Sequence, residues 1–273
     1  MKNIFVIDNA INCSYITSVL TALLYNKSKL DDFLEIEPEN NSFFYLQELI
    51  KTNFIEKIRN FYSVDNSVLN EIRIYCTVCG WKNNEYFLQL YDVGEFYDFL
   101  VKNIDFGTIN YEVSFNNSID KYCTSFIPLN IDKSSAEISI HDLFNEWISK
   151  NLIKYDDKKK IKNYELTEIP DLVTFYINRN INFHFNNKRI DIMKNIRFND
   201  ITEPQDKLRW EIYSIVCYNE ASPQHYYSVV KINDEWFIID DNTIPSIFQI
   251  NIKNDDYANK IKSECCLIFY IKK

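Results

Sequence analysis

The sequence predicts an α+β fold. Its first third carries apolar residues at helical spacing, its last hundred residues are mainly β-branched and aromatic runs, and no strand–helix–strand rhythm connects the two. The first helix is set by Ile16, Val19, Leu20, Leu23 and Leu24, which recur at i, i+3, i+4, i+7 and i+8 as the stripe of a core-facing helix. Asn12 is placed to cap it, which puts Cys13 in the first turn. There the unpaired backbone N–H groups and the helix dipole favour a thiolate. Residues 43–50 and 54–61 continue with helical spacing. From about residue 72 the pattern turns to strands, at 73–76, 86–91 and 111–115. It returns to helix at 142–152, where Leu143, Phe144, Trp147, Ile148 and Leu152 form the apolar face. Strands at 172–177, 181–185, 210–218, 226–232, 236–239 and 267–271 complete the chain.

The 273 residues read as one continuous domain, without an internal repeat or a Gly/Pro-rich linker. Only 3 glycines are present, so turns that need positive φ must fall on Asn and Asp. A net charge of −9 argues against nucleic acid as the main partner and suits a partner with a basic face. Seven cysteines without a secretory signal predict reduced thiols and an intracellular protein, in cytoplasm or nucleus. No run reaches the roughly 18 apolar residues of a membrane span.

Of the three histidines, His141 opens a helical stretch and His184 lies in an Asn-rich strand. His225 differs. It opens Gln224-His225-Tyr226-Tyr227-Ser228-Val229-Val230, Asn233-Asp234 turns the chain, and Trp236-Phe237-Ile238-Ile239-Asp240-Asp241 returns. With Asn233 and Asp234 as a two-residue loop, Tyr227 faces Asp240 and His225 faces Asn242. His225, Asp240 and Asn242 then share one face, with Asp240 a diagonal neighbour of His225 at roughly 7–8 Å. Asp241 points the other way, and a three-residue loop would exchange the two aspartates. Thiol, imidazole and carboxylate are the set that acyl transfer requires. Cys13 would attack as thiolate, His225 would move its proton, and Asp240 or its neighbour would orient the ring. On these residues alone, a tyrosine-rich core hairpin with an incidental histidine fits equally well.

Four blocks carry a resemblance. Asn12-Cys13-Ser14-Tyr15-Ile16-Thr17-Ser18-Val19-Leu20 resembles the Cys box of ubiquitin-specific proteases, and His225-Tyr226-Tyr227-Ser228-Val229-Val230 with Trp236-Phe237-Ile238-Ile239-Asp240-Asp241 resembles their His box. Ile169-Pro170-Asp171-Leu172-Val173-Thr174-Phe175 and Cys265-Cys266-Leu267-Ile268-Phe269-Tyr270 are similar to two further strands of that family. Their order and spacing span residues 13–271. The resemblance implies a compact, divergent papain-like cysteine peptidase. It would have a single catalytic domain, with a helical thumb at about 1–70, reduced fingers and an inserted helix at about 71–168, and an antiparallel-sheet palm at about 169–273. The active-site cleft would lie between palm and thumb. It implies hydrolysis of isopeptide bonds at the C-terminus of ubiquitin or a ubiquitin-like protein, by a monomer acting without membrane, nucleic acid or cofactor. Cys13 would be the nucleophile, His225 the general base and acid, and Asp240 the orienter, with Asp241 assisting.

The departures are specific. The family's oxyanion-donating Asn, five residues before the Cys, is Asp8 here, where a donor worth about 3–4 kcal/mol is expected. Asn9 is the nearest substitute, and the backbone N–H of Cys13 is another. The glycines of the Cys box and before the catalytic His are Ala10 and Gln224. Cys76-Thr77-Val78-Cys79 resembles one half of the family's zinc site, but beyond Cys123 the position for a fourth ligand is Phe126, so a knuckle held by packing is expected rather than bound metal. Asp8 and Gln224 also fit a catalytically impaired ubiquitin-binding scaffold, and another ubiquitin-like modifier fits as substrate.

Overall fold

Apolar spacing does determine helices in the first part of the chain, though not everywhere the sequence predicts them. The computed structural model describes residues 4–273 apart from 39–40, 83–87, 105, 116–118, 132–136, 154–160, 167–169, 182–183, 193, 197–208, 222 and 253–254. The helices are α1 (Ser14–Leu24), α2 (Asn41–Glu48), α3 (Glu56–Arg59), α4 (Asn66–Val78), α5 (Val93–Ile104), α6 (Ile140–Ile153) and α7 (Asp255–Glu264). The strands begin with β1 (Ile109–Phe115), β2 (Ile119–Thr124), β3 (Ile127–Asn130), β4 (Glu137–Ser139), β5 (Ile161–Leu166), β6 (Leu172–Asn178), β7 (Asn180–Ile181) and β8 (His184–Phe185). They continue with β9 (Arg189–Asp191), β10 (Asn195–Ile196), β11 (Trp210–Asn219), β12 (His225–Ile232), β13 (Glu235–Ile239), β14 (Ile247–Ile250) and β15 (Cys265–Lys272).

Two compact units result: residues 1–106 with 214–258, and residues 107–213 with 259–273. In the second, β15 and β6 pair antiparallel, β3 joins β6 in parallel, and β1 is flanked by β2 and β5. Arg179 at the end of β6 is buried there and donates to the carbonyls of Cys265, Asn186, Lys188 and Lys262. In the first unit, the C-terminal part of β11 and strands β12, β13 and β14 form an antiparallel meander. The helix α1 packs on β12 and touches α4 and α5.

Every residue of α1 is buried, which a single apolar stripe would not require. Of its polar residues, Thr17 and Ser18 donate to carbonyls of the helix and its cap, while Ser14 and Thr21 bond to the sheet. The Ser14 hydroxyl accepts from Tyr226 N at 3.1 Å, and the Thr21 and Ser228 hydroxyls share a 2.7 Å bond. Ser214 Oγ donates to Ala22 O at 2.6 Å, and Asn26 Nδ2 donates to Lys231 O at 2.8 Å. These ties fix the helix along β12 in one register, since a shift would strand buried polar groups.

The hairpin has the register that the sequence predicts: Asn233 and Asp234 both take positive φ, Ile232 pairs with Glu235 and Ser228 with Ile239. Asn12 also takes positive φ, as do Phe61 and Lys82, so the scarcity of glycine is met partly by Asn and Asp. Four expectations need correction. Residues 73–76 are helical, within α4, because Val68, Leu69, Ile72 and Cys76 bury one helix face together. Of 86–91, residues 88–91 form no strand, and 86–87 lie outside the described residues. The 181–185 strand is instead the short pair β7 and β8, with 182–183 outside the described residues. The two helices expected at 43–50 and 54–61 are α2 and α3, joined by a π-helical turn over Leu49–Ile55. The helices α5 and α7 carry helical spacing that the strand reading passed over.

Thr21→Val keeps the shape of the side chain but leaves Ser228 without its shared hydroxyl. We expect a loss of about 1–3 kcal/mol in urea unfolding, the usual cost of a buried polar group left unmade. An unchanged midpoint would show that the helix–strand ties do not hold α1.

Candidate active site

The loop before α1 is built by a tight turn in which Cys13 N–H donates to Ala10 O at 2.9 Å. Asn12 takes the left-handed conformation, and its side chain donates to Leu88 O at 2.7 Å. Cys13 itself is therefore the residue that caps α1, with no capping side-chain bond, and Asn12 is not. The correction has a chemical side: the Cys13 N–H is already used in the turn and is not a ready oxyanion donor.

Helix-dipole stabilisation of a thiolate is outweighed here. Cys13 is fully buried, and burial pushes its thiol up to about 11 from 9.0. The guanidinium of Arg73 pulls it down and Asp241 adds to the rise, but burial dominates. The sulfur is in contact with Arg73 Nη2 and lies 3.9 Å from Leu69 O. Among the described residues these are its side-chain hydrogen-bond partners, and His225 is not one of them.

His225 opens β12 opposite Asn219 of β11 and is almost wholly buried. Its Nε2 lies 2.8 Å from Asp240 Oδ1 and 3.0 Å from Asp241 Oδ1. Asp241 thus does not point away, as strand alternation predicts. The strand β13 stops at Ile239, so the pleat no longer dictates the direction of residues 240 and 241. Burial opposes the charged ring, yet the two carboxylates overcome it and push His225 up to about 9 from 6.5. Asp241 is buried, and among the described residues its oxygens accept no well-aligned hydrogen bond, which makes a cationic His225 its counter-charge. With Nε2 held by carboxylates, Nδ1 is the ring nitrogen left for a thiol.

The carboxylate loop is itself fixed. Asp240 Oδ1 accepts from Asn242 N at 2.8 Å, and Asp240 N donates to Ser246 O at 2.9 Å. Ser246 reaches the chain before Cys13: its N–H donates to Phe5 O and its hydroxyl accepts from Ile7 N. That segment presents Asn9, exposed, whose Nδ2 lies 3.5 Å from Asn242 Oδ1. Asp8 is exposed next to it and bonds through its backbone to Val64 O.

Arg73 is the site residue that the sequence reading missed. A charged residue between Leu69 and Cys76 on the buried face of a helix signals an interior partner, but a strand assignment conceals that signal. The stretch from Cys76 to Cys79, expected as a knuckle held by packing, is instead the end of α4: Cys76 is buried within the helix and Cys79 caps it, while Cys123 is exposed on β2. Among the described residues, the cluster with metal-ligand spacing is His225, Asp240 and Asp241, which already serve one another as partners. No described helix is long and apolar enough to cross a membrane.

The family model described as ubiquitin carboxyl-terminal hydrolase matches residues 6–270. No curated protein matches the chain. The chain belongs to the ubiquitin carboxyl-terminal hydrolase family and has its papain-like α+β fold.

The raised His225 value makes a pH prediction. A histidine raised from 6.5 to about 9 adds stability that is complete below pH 6.5 and disappears as pH climbs through 9. An NMR titration of the ring should give a midpoint near 9, and Asp241→Asn should move it down by removing one of two carboxylates. A wild-type midpoint at or below the ordinary value would contradict the carboxylate grip.

Proposed function

We propose that this member of the ubiquitin carboxyl-terminal hydrolase family is a thiol-dependent hydrolase that cleaves isopeptide bonds at the C-terminus of ubiquitin. The whole chain would serve as one catalytic domain, acting as a monomer inside the cell. The observation that carries the reading is the grip of Asp240 and Asp241 on His225 Nε2, on a strand bonded to the very helix that Cys13 caps.

In the productive state, neutral His225 takes the Cys13 proton on Nδ1 and the sulfur attacks the carbonyl carbon. Asp240 and Asp241 stabilise the imidazolium so formed. The ring returns its proton to the leaving lysine amine, and a thioester remains. His225 then deprotonates a water, which attacks the thioester and frees the ubiquitin carboxylate and the Cys13 thiol. Asn9 is the donor we assign to the developing oxyanion, since its amide carries N–H groups and Asp8 carries none.

A second reading draws on one observation. The Cys13 sulfur is bonded to Arg73 and Leu69 instead of His225, an arrangement that suits a ubiquitin-binding scaffold with impaired catalysis. A ubiquitin probe with a thiol-reactive C-terminus separates the two. The hydrolase should be labelled, and Cys13→Ala should abolish both labelling and turnover. Undiminished labelling of that variant would remove Cys13 from its role, and tight ubiquitin binding without cleavage by the wild type would favour the scaffold.

A further inference from the structure

Asp241 is a carboxylate at 5 % exposure whose two oxygens, among the described residues, accept no well-aligned hydrogen bond. A buried anion in that condition needs a cation within reach, which the His225 ring supplies through a proton on Nε2. That nitrogen lies 3.0 Å from Asp241 Oδ1 and 2.8 Å from Asp240 Oδ1. One donor atom from each of the three residues lies within 4.8 Å of the other two, so a single ion can touch all three. With metal–ligand bonds of about 2.0–2.2 Å, neighbouring donors stand roughly 3.0–3.5 Å apart, so both nitrogen–oxygen separations need only a small opening.

We infer that His225, Asp240 and Asp241 form an inhibitory site for a zinc-type divalent cation, which replaces the Nε2 proton and stops catalysis without touching the sulfur. The inference rests on His225 being the general base. Donor chemistry selects the ion. Two carboxylates match its charge, and an imidazole nitrogen favours zinc and its neighbours over the oxygen-seeking calcium and magnesium. The loop that carries both carboxylates is fixed by the bond from Asp240 N to Ser246 O, which holds the donors together before an ion arrives. Asp240 keeps 17 % of its side chain exposed and gives the ion its side of approach. Inhibition follows from the ring's proton count, since a neutral imidazole carries one proton. With the Nε2 lone pair on the metal, that proton sits on Nδ1, which then cannot accept from Cys13. Binding sends the Nε2 proton to solvent, and chelation of the metal returns the ring to its working form.

Zinc titration by isothermal calorimetry tests this on the full chain carrying Cys13→Ala, which removes the nucleophile as a competing ligand. One zinc should bind. Asp241→Asn on that background should weaken it by at least about 100-fold, the upper end of what loss of a mere supporting group costs, and Asp240→Asn should do the same. Cobalt in place of zinc reads the donor set, because ligation by Cys79 or exposed Cys123 would add a thiolate-to-metal absorption band that this site lacks. In wild type, zinc should suppress cleavage of a fluorogenic ubiquitin amide, and EDTA should restore it. Absence of saturable zinc binding by the folded Cys13→Ala protein refutes the site without any further variant. Equal affinity in both aspartate variants, or a cobalt spectrum of thiolate ligation alone, would put the metal on cysteines and overturn the inference. Probe labelling of metal-free wild type tests the hydrolase separately, and calorimetry needs no turnover, so the two failures are told apart.

Discussion

The polar seam between α1 and β12 is the constraint on which the site depends. A helix buried along its whole length gains from the hydrophobic effect in many registers, because that term has no direction. Hydroxyls at Ser14 and Ser214 narrow the choice, since each is buried and bonds across the seam, and the Thr21–Ser228 bond adds to them. Ser14 follows Cys13 and Tyr226 follows His225, so the bond between them joins the two halves of the site across more than two hundred residues of chain. Specificity of this sort comes from polar groups that would be costly to strand, and less from the area that the helix covers.

Electrostatics then sets the resting state of that geometry. Two carboxylates around one imidazole favour the cation, and burial around one thiol favours the neutral form. Both shifts push their groups toward the protonated form. Arg73 lies on the thiol side of this balance and Asp241 on the imidazole side, so the two buried charges oppose each other's effect on the sulfur.

Much of this was legible in the sequence where local rules operate. The spacing from Ile16 to Leu24 gives α1, and Asn233-Asp234 gives the turn whose register brings Asp240 to His225. The limits lie where one local rule yields to another. Asp241 was misdirected because alternation was extended past Ile239, where the strand ends. Arg73 was lost because Arg73, Ile74, Tyr75 and Cys76 read as a β-rich run, although the wider window from Val68 to Cys76 has helical spacing. The thiol shift was illegible for a different reason: desolvation depends on what packs over Cys13, and no motif encodes that.

The account stands or falls on His225 acting upon Cys13, and chemical rescue measures that most directly. Cleavage of a fluorogenic ubiquitin amide should be lost in His225→Ala, partly restored by added imidazole, and beyond rescue once Cys13 is also replaced. Cleavage by His225→Ala at the wild-type rate, with no response to imidazole, would contradict it.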